Sequence, residues 1–391
     1  MYDAGDLPAE QELIRACFQV DPDDRWRAVS GVINRVNWER FEVLIQRNGA
    51  TPWAMHFLVN HFKDHLPDVL EYRWRQVFRS HAAYCMRLTG ALEILAERFR
   101  SAHTPMATFK GPALGQIAYG DYALRTYQDL DIMIRSTDFR AAYEILVTKA
   151  GFKPMQAMNE RELTAWARTG REFTFSSGGA MVDLHMRLTE GPARFSSGFV
   201  LPANLVALKL LSREVLVFTP EVHFVLLALH GTKHGWPEMR MVGDAAFLAH
   251  HAGLNMDEVG RLAGHYRCRR AVDLALWLAQ DMCGLKVDRY LTDGKAPSHT
   301  VLRIGRHVAA RLQSGNWIPE KAERLRMMLR LLDNLPARAG FVWHTITAPK
   351  LTDIREGHGL GSPMLGLMRP FRLIRRRISS WRAKSGRIRR S

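Results

Sequence analysis

The chain has 391 residues, of which 47% are hydrophobic and 24% charged. That composition supports about two or three folded units with real cores, and excludes a disordered chain, a collagen or a coiled-coil rod. The formal charge of +16 is uneven: residues 361–391 hold ten Lys or Arg and no acid, so the rest carries only +6 and no basic groove on the folded body is implied. Cys17, Cys85, Cys268 and Cys283 are far apart and form no CxxC pair, which excludes a disulfide scaffold and a structural zinc module. No apolar stretch approaches the ~18 residues of a membrane span, and MYDAGDLPAEQE has neither the basic nor the apolar region of a secretory leader. These features read as a cytoplasmic protein.

Taken in chain order, residues 1–101 read as a helical N-terminal region. Apolar residues recur at three- and four-residue intervals from Trp26 to Arg47, Asn48-Gly49 ends that helix, Pro52 opens another, and a long pattern runs from Pro67 to about Phe99. The texture changes at Pro105. Met106–Phe109 reads as a strand, Lys110-Gly111-Pro112 as a turn, and Asp129–Ile134 (DLDIMI) alternates as a strand does. A helix ending at Gly151 and a hairpin, with Ser176-Ser177-Gly178-Gly179 as its turn and Met181–Met186 as its second arm, complete a mixed α/β core over 102–200. Residues 201–335 read as helical, and 336–391 as an irregular segment with a basic tail. The fold class expected is α+β: a small mixed sheet with helical N- and C-terminal regions.

Asp129 and Asp131 are the sharpest chemical feature. Side chains alternate along a strand, so both carboxylates point one way, about 6.5–7 Å apart, while Leu130, Ile132 and Ile134 enter the core. Two like charges on one face resist burial, and a divalent cation relieves both repulsion and desolvation. Two solvated aspartates on an open sheet face are the plainer reading. Asp183, in VDLH, can leave the core by the same alternation, and three aspartates on neighbouring strands suit a two-metal phosphoryl- or nucleotidyl-transfer site. Lys110 and Arg125 are phosphate candidates, with Gly111 letting backbone approach a phosphate.

FKGPALGQIAYGDYALRTYQDLDIMI, a helix ending in Gly151-Phe152, and MVDLHMRL together resemble the nucleotidyltransferase_5 family, bacterial proteins of the DNA-polymerase-β-like nucleotidyltransferase superfamily. Lys110, Gly111, Arg125, Asp129, Asp131, Asp183 and His185 fill the places of its Leu-Lys-Gly, Arg, Asp-x-Asp and Val-Asp-Leu-His elements. LALHGTKHGWPEMRMVGDAAFLA and LMRPFRL are similar to later family segments, so the resemblance covers about 30 to 375, with 108–188 the specific part. It implies a Mg²⁺ (or Mn²⁺) enzyme that moves NMP from an NTP to a hydroxyl of an acceptor, which is left open among a protein, a peptide, a sugar, a small molecule and an RNA end. Asp129, Asp131 and Asp183 would bind metal. Lys110, Gly111, Arg125, His185, His230, Lys233 and His234 would contact the nucleotide or its phosphates. Pro112 stands where the wider superfamily has a serine that contacts the triphosphate, and it lacks both hydroxyl and backbone donor. Lys110 is the expected substitute, and a degenerate binding or scaffold protein acting through its tail is the alternative.

Two features stay open. His230 and His234 share a helix face, but without the glutamate of HExxH a packed polar patch near Trp236 and Asp244 is preferred to a zinc pair. In the tail, Leu367, Phe371, Ile374, Ile378 and Trp381 form one apolar stripe ringed by arginines. Packing of 367–381 on the protein's own helices is preferred to an anionic membrane surface. Residues beyond Trp381 are left to touch lipid or nucleic acid, so the location allows a peripheral membrane role.

Overall fold

The computed structural model describes residues 8–169, 172–187, 204–292, 294, 296–315, 318–348, 351–356 and 369. Five helices come first: α1 (Ala9–Cys17), α2 (Pro22–Val32), α3 (Trp38–Arg47), α4 (Thr51–His61) and α5 (Asp68–Ser101). The single helix expected over 26–47 is two. A 3₁₀ segment, Ile33–Arg35, ends α2, and the Asn37 side chain then accepts from the Arg40 N–H at 3.0 Å to start α3. Asparagine competes for backbone donors in this way, which favours a cap over an unbroken helix. Gly49 ends α3 as expected, with φ of 62°.

The sheet segment runs β1 (Met106–Thr108), α6 (Gly111–Tyr119), β2 (Asp129–Ile134), α7 (Phe139–Glu144), β3 (Lys153–Pro154), α8 (Glu160–Thr169), β4 (Phe173–Ser177), β5 (Ala180–His185), β6 (Leu205–Lys209) and β7 (Glu214–Phe218). Seven strands form one mixed sheet in the order β3-β4-β5-β2-β1-β7-β6. β2 pairs β5 in parallel and β1 antiparallel; β1 pairs β7 in parallel; the remaining neighbours are antiparallel. The helical reading from about 203 is therefore wrong over 205–218, where a hairpin adds two strands. Its turn lacks Gly, Pro and Asn; instead the Glu93 carboxylate of α5 accepts from the N–H groups of Leu211, Ser212 and Arg213, each at 2.9 Å. A buried acid 118 residues upstream of Leu211 thus does what turn residues normally do.

Eight helices follow: α9 (Pro220–His234), α10 (Met239–Ala252), α11 (Met256–His265), α12 (Arg269–Cys283), α13 (His299–Ser314), α14 (Lys321–Leu331), α15 (Leu335–Thr347) and α16 (Leu351–Glu356). The last two correct the expectation of irregular chain over 336–366. Asn334 caps α15 by accepting from the Ala337 N–H at 3.0 Å, and Pro336 suits the first turn.

The two sheet faces belong to different cores. Leu130, Ile132, Ile134, Val182, Leu184 and Val217 pack with Leu88, Leu92, Leu95 and Phe99 of α5. Ala107, Phe109, Met133 and Phe218 join the core that unites α1–α4 with α9–α12. α1–α4 and α9–α12 thus pack on one side of the sheet, and the C-terminal half of α5 on the other. Among the described residues no helix is long and apolar enough to cross a membrane. Most of the tail, with its apolar stripe and RAKSGRIRRS, lies outside the described residues. Arg369 is buried: its Nη1 donates to the Thr345 and Ile346 carbonyls at 3.1 and 3.3 Å, and its Nε faces Asp353 at 3.3 Å.

Candidate active site

Parallel pairing of β2 with β5 sets Asp131 opposite Asp183 and Met133 opposite His185. Because alternation is shared across a sheet, Asp129, Asp131, Asp183 and His185 all leave the Leu130/Val182 core on the same side. They line one wall of a cleft of about 660 Å³, together with Lys110, Glu172, Thr174 and Arg187. The opposite wall is α9, which contributes His223, His230, Lys233 and His234, and α15 adds His344.

β1 carries Lys110 to the site. The chain turns from β1 into α6 through positive φ at both Lys110 (51°) and Gly111 (46°). The φ of 46° at Gly111 is what favours glycine there, since a methyl would meet the Asp129 carbonyl oxygen only at an ordinary contact distance of 3.4 Å. Lys110 Nζ reaches Asp131 Oδ1 at 3.4 Å and sits 5.3 Å from the Phe109 ring centre. The Thr108 hydroxyl donates to the Asp131 carbonyl at 3.0 Å and pins β1 to β2 at this level.

The carboxylates are individually held. His185 Nε2 lies 2.8 Å from Asp131 Oδ1. The carboxylate can only accept, so this nitrogen carries the proton. Its Nδ1 faces Glu172 at 3.7 Å. The Thr174 hydroxyl of β4 donates to Asp183 Oδ1 at 2.6 Å. In both aspartates the protein engages Oδ1, and Oδ2 has no hydrogen-bond partner among the described residues.

Ligand atoms of Asp131, Asp183 and His185 lie within 4.8 Å of one another. Asp129 falls outside that closest group but shares its field. Burial, and then the charges of Asp131 and Asp183, raise its pKa above the usual carboxylate range. Asp131 goes the other way: burial alone would raise its pKa, but the Lys110 ammonium and the His185 N–H hold it well below that range. The oxygen-rich donor set suits a hard divalent cation such as Mg²⁺, because a cation here would offset the repulsion that Asp129 feels.

Local sequence also explains the α9 wall. Gly235, with φ of 78°, ends the helix, and the chain folds Trp236 back beneath it. A methyl on Gly231 would lie 2.4 Å from the Trp236 ring, so glycine is required where the indole packs. Trp236 is thereby buried, and His230 and His234 face the cleft with ring centres 4.5 Å apart. Burial, then the nearby Lys110 and His234, push the His230 pKa well below the usual histidine range, so it presents a neutral imidazole. Among the described residues the groups able to hold a metal include neither His230 nor His234.

Two expected phosphate residues are elsewhere. Arg125 is buried away from the cleft lining, where its Nε and Nη2 donate to both oxygens of Asp244 at 3.0–3.1 Å. The Tyr119 hydroxyl donates to the same carboxylate at 2.9 Å. This bidentate pair joins the end of the β1–β2 connection to α10. Gly111 is buried against β2 and is likewise absent from the cleft wall. Sequence reasoning missed Thr174, Glu172, His223 and Arg187. For Arg187 a signal existed, since it continues the alternation Asp183, His185, Arg187.

A family model described as "Uncharacterised nucleotidyltransferase" matches residues 34–284. No curated protein matches the sequence. Among solved structures, the solution structure of the antibiotic-resistance factor ANT(2'')-Ia is similar at 14% identity and a TM-score of 0.34, covering 47% of this chain and 94% of that one. The family match spans more than half of the chain and takes in β1, β2, β5 and α9, which build the cleft, and on that ground the chain belongs to this nucleotidyltransferase family.

Proposed function

We propose that the protein transfers NMP from an NTP to a hydroxyl group of a protein, peptide, sugar or other small acceptor, with Mg²⁺ or Mn²⁺. The observation that carries this reading is the register pairing of Asp131 with Asp183, with Asp129 on the same sheet face. Asp129, Asp131 and Asp183 would hold the metal. Bound there, the cation would polarise the α-phosphate and offset the charge that develops on the leaving oxygen.

The other roles belong to the chain's own groups. The acceptor oxygen forms a bond to the α-phosphorus, the α–β bridging bond breaks, and pyrophosphate departs. Asp183 is the carboxylate assigned to orient the acceptor hydroxyl and take its proton. Lys110 and Lys233 line the cleft as the cations assigned to the phosphates, in place of a helix N-terminus blocked by Pro112. His230 and His234 offer neutral or polar hydrogen-bonding contacts along the same wall. Thr174 and His185 fix the carboxylates' orientation.

The test incubates the full chain with each α-labelled NTP, Mn²⁺ and candidate hydroxyl acceptors, beside Asp131→Asn. Metal-dependent transfer of label by the wild type, lost in the variant, is the expected result. Equal labelling by both proteins would remove this reading.

A further inference from the structure

Arg187 follows β5 by two residues and keeps that strand's alternation. Val182, Leu184 and Met186 are each at 0% exposure, whereas Asp183, His185 and Arg187 all line the cleft. The guanidinium is half-buried, and its Nε is shielded from solvent with no hydrogen-bond partner among the described residues. Among the described residues no carboxylate lies within ion-pair distance of it. Burial pulls its pKa down, and no neighbouring acid opposes that pull. Other desolvated arginines of this protein are answered from within. Arg125 meets Asp244, Arg311 meets Glu323 at 2.7 Å, and Arg25 donates to the Gln19 and Val20 carbonyls at 2.7 and 3.2 Å.

A desolvated cation is costly unless paired. A planar guanidinium at a cleft wall matches phosphate or carboxylate oxygens with two parallel N–H donors. We propose that Arg187 is a further anion-binding residue of this cleft, beside Lys110 and Lys233, taking an oxyanion of a substrate: either the NTP polyphosphate or an anionic group on the acceptor. The proposal rests on the transferase reading only for the name of the anion's carrier. Binding itself follows from the site.

The experiment is calorimetric titration of the full chain, as wild type, Arg187→Gln and Arg187→Lys, after thermal melts establish that each is folded. One arm uses tripolyphosphate without metal. The other uses inorganic phosphate with the nucleotide site filled by a non-hydrolysable NTP and Mn²⁺. Arg187→Gln should weaken one of these anions about ten- to a hundredfold, the loss typical of a charge-assisted contact, and Arg187→Lys should recover part of it. A loss on tripolyphosphate assigns the polyphosphate as the source; a loss confined to phosphate assigns the acceptor. Unchanged affinity for both anions in Arg187→Gln, or no binding of either by wild type, would overturn the proposal. Should Arg187→Gln not fold, Arg187→Lys decides by the same comparison, since it removes the fork and keeps the charge. Loss of tripolyphosphate binding in a protein that shows no Mn²⁺-dependent transfer would sink the transferase reading and leave this subsite standing.

Discussion

His185 Nε2 and Asp131 Oδ1 stand 2.8 Å apart on adjacent parallel strands, and the histidine is the donor. In the proposed metal site the contact would leave Oδ2 of Asp131 for the cation, as the Thr174 hydroxyl would leave Oδ2 of Asp183. Removing an outer partner of this kind typically costs about 10–100-fold in metal affinity or activity. His185→Phe and Thr174→Val should therefore raise the Mn²⁺ concentration needed for half-maximal transfer by that factor. The KM for NTP at saturating metal should change little, and Thr174→Ser should restore the metal dependence. A purely structural role would lower the melting temperature without moving the metal requirement.

Asp129 should respond to mutation in two opposed ways. Its folded pKa is raised, so the neutral form is favoured; its contribution to stability is full below the unfolded carboxylate pKa and is lost as pH rises through the folded value. Without metal the charged form of Asp129 is thus the disfavoured one. Asp129→Asn should raise the melting temperature in EDTA while removing most of the transfer activity. Melting curves in EDTA and in Mn²⁺ check both halves: the gain from Mn²⁺ should shrink in the variant.

Arg125 should matter to folding and not to nucleotide binding. It and Asp244 are both almost fully buried, with side-chain exposures of 5% and 2%. Removing Arg125 strips Asp244 of its bidentate partner and leaves it Arg240 at 3.4 Å and the Tyr119 hydroxyl, so the cost falls at or below the about 3–5 kcal/mol of a buried pair broken from one side. Arg125→Met should show that loss in denaturant unfolding, and Arg125→Met with Asp244→Leu should recover a large part of it. NTP affinity of the folded fraction should stay at the wild-type level. A selective loss of NTP binding with unchanged stability would return Arg125 to the phosphate role.

His223 gives an acid-side signature. It is buried in α9, its Nδ1–H donates to the Phe218 carbonyl at 3.0 Å, and burial pushes its pKa down to about 4. The unfolded chain protonates this histidine near 6.5, the folded chain only near 4, so the unfolded state binds more protons between those values. The stabilisation is present above pH 6.5 and is lost as pH falls towards 4, by about 3 kcal/mol in all at 1.36 kcal/mol per unit. Denaturant unfolding from pH 7 to 4 should show that decline, and His223→Gln should flatten it.

The legible parts of the sequence were those governed by local periodicity. The two-residue alternation in DLDIMI and MVDLH places Asp129, Asp131 and Asp183 on one face without knowledge of the topology. What escaped depends on long-range pairing. Thr174 acquires its role only because β4 and β5 pair it with Asp183. Arg125 looked like a phosphate ligand because its partner, Asp244, lies 119 residues downstream. The β6–β7 hairpin carried no turn residues because Glu93 supplies the turn's hydrogen bonds from another element. Helical periodicity located α3, α4 and α5 well, but it ran through the Asn37 cap because periodicity alone does not see a competing side-chain acceptor.

The pairing of β2 with β5 also bears on how the chain finds its fold. These strands are distant in sequence and are joined by no hairpin, so nothing local fixes their alignment. A slip of one residue would rotate Asp183 and His185 into the dry layer held by Leu130 and Ile132, and would turn Val182 and Leu184 towards the polar cleft. Burying a lone carboxylate there is far more costly than any misaligned hydrogen-bond ladder could offset. The acids placed on the cleft face therefore also disfavour the slipped register of the sheet.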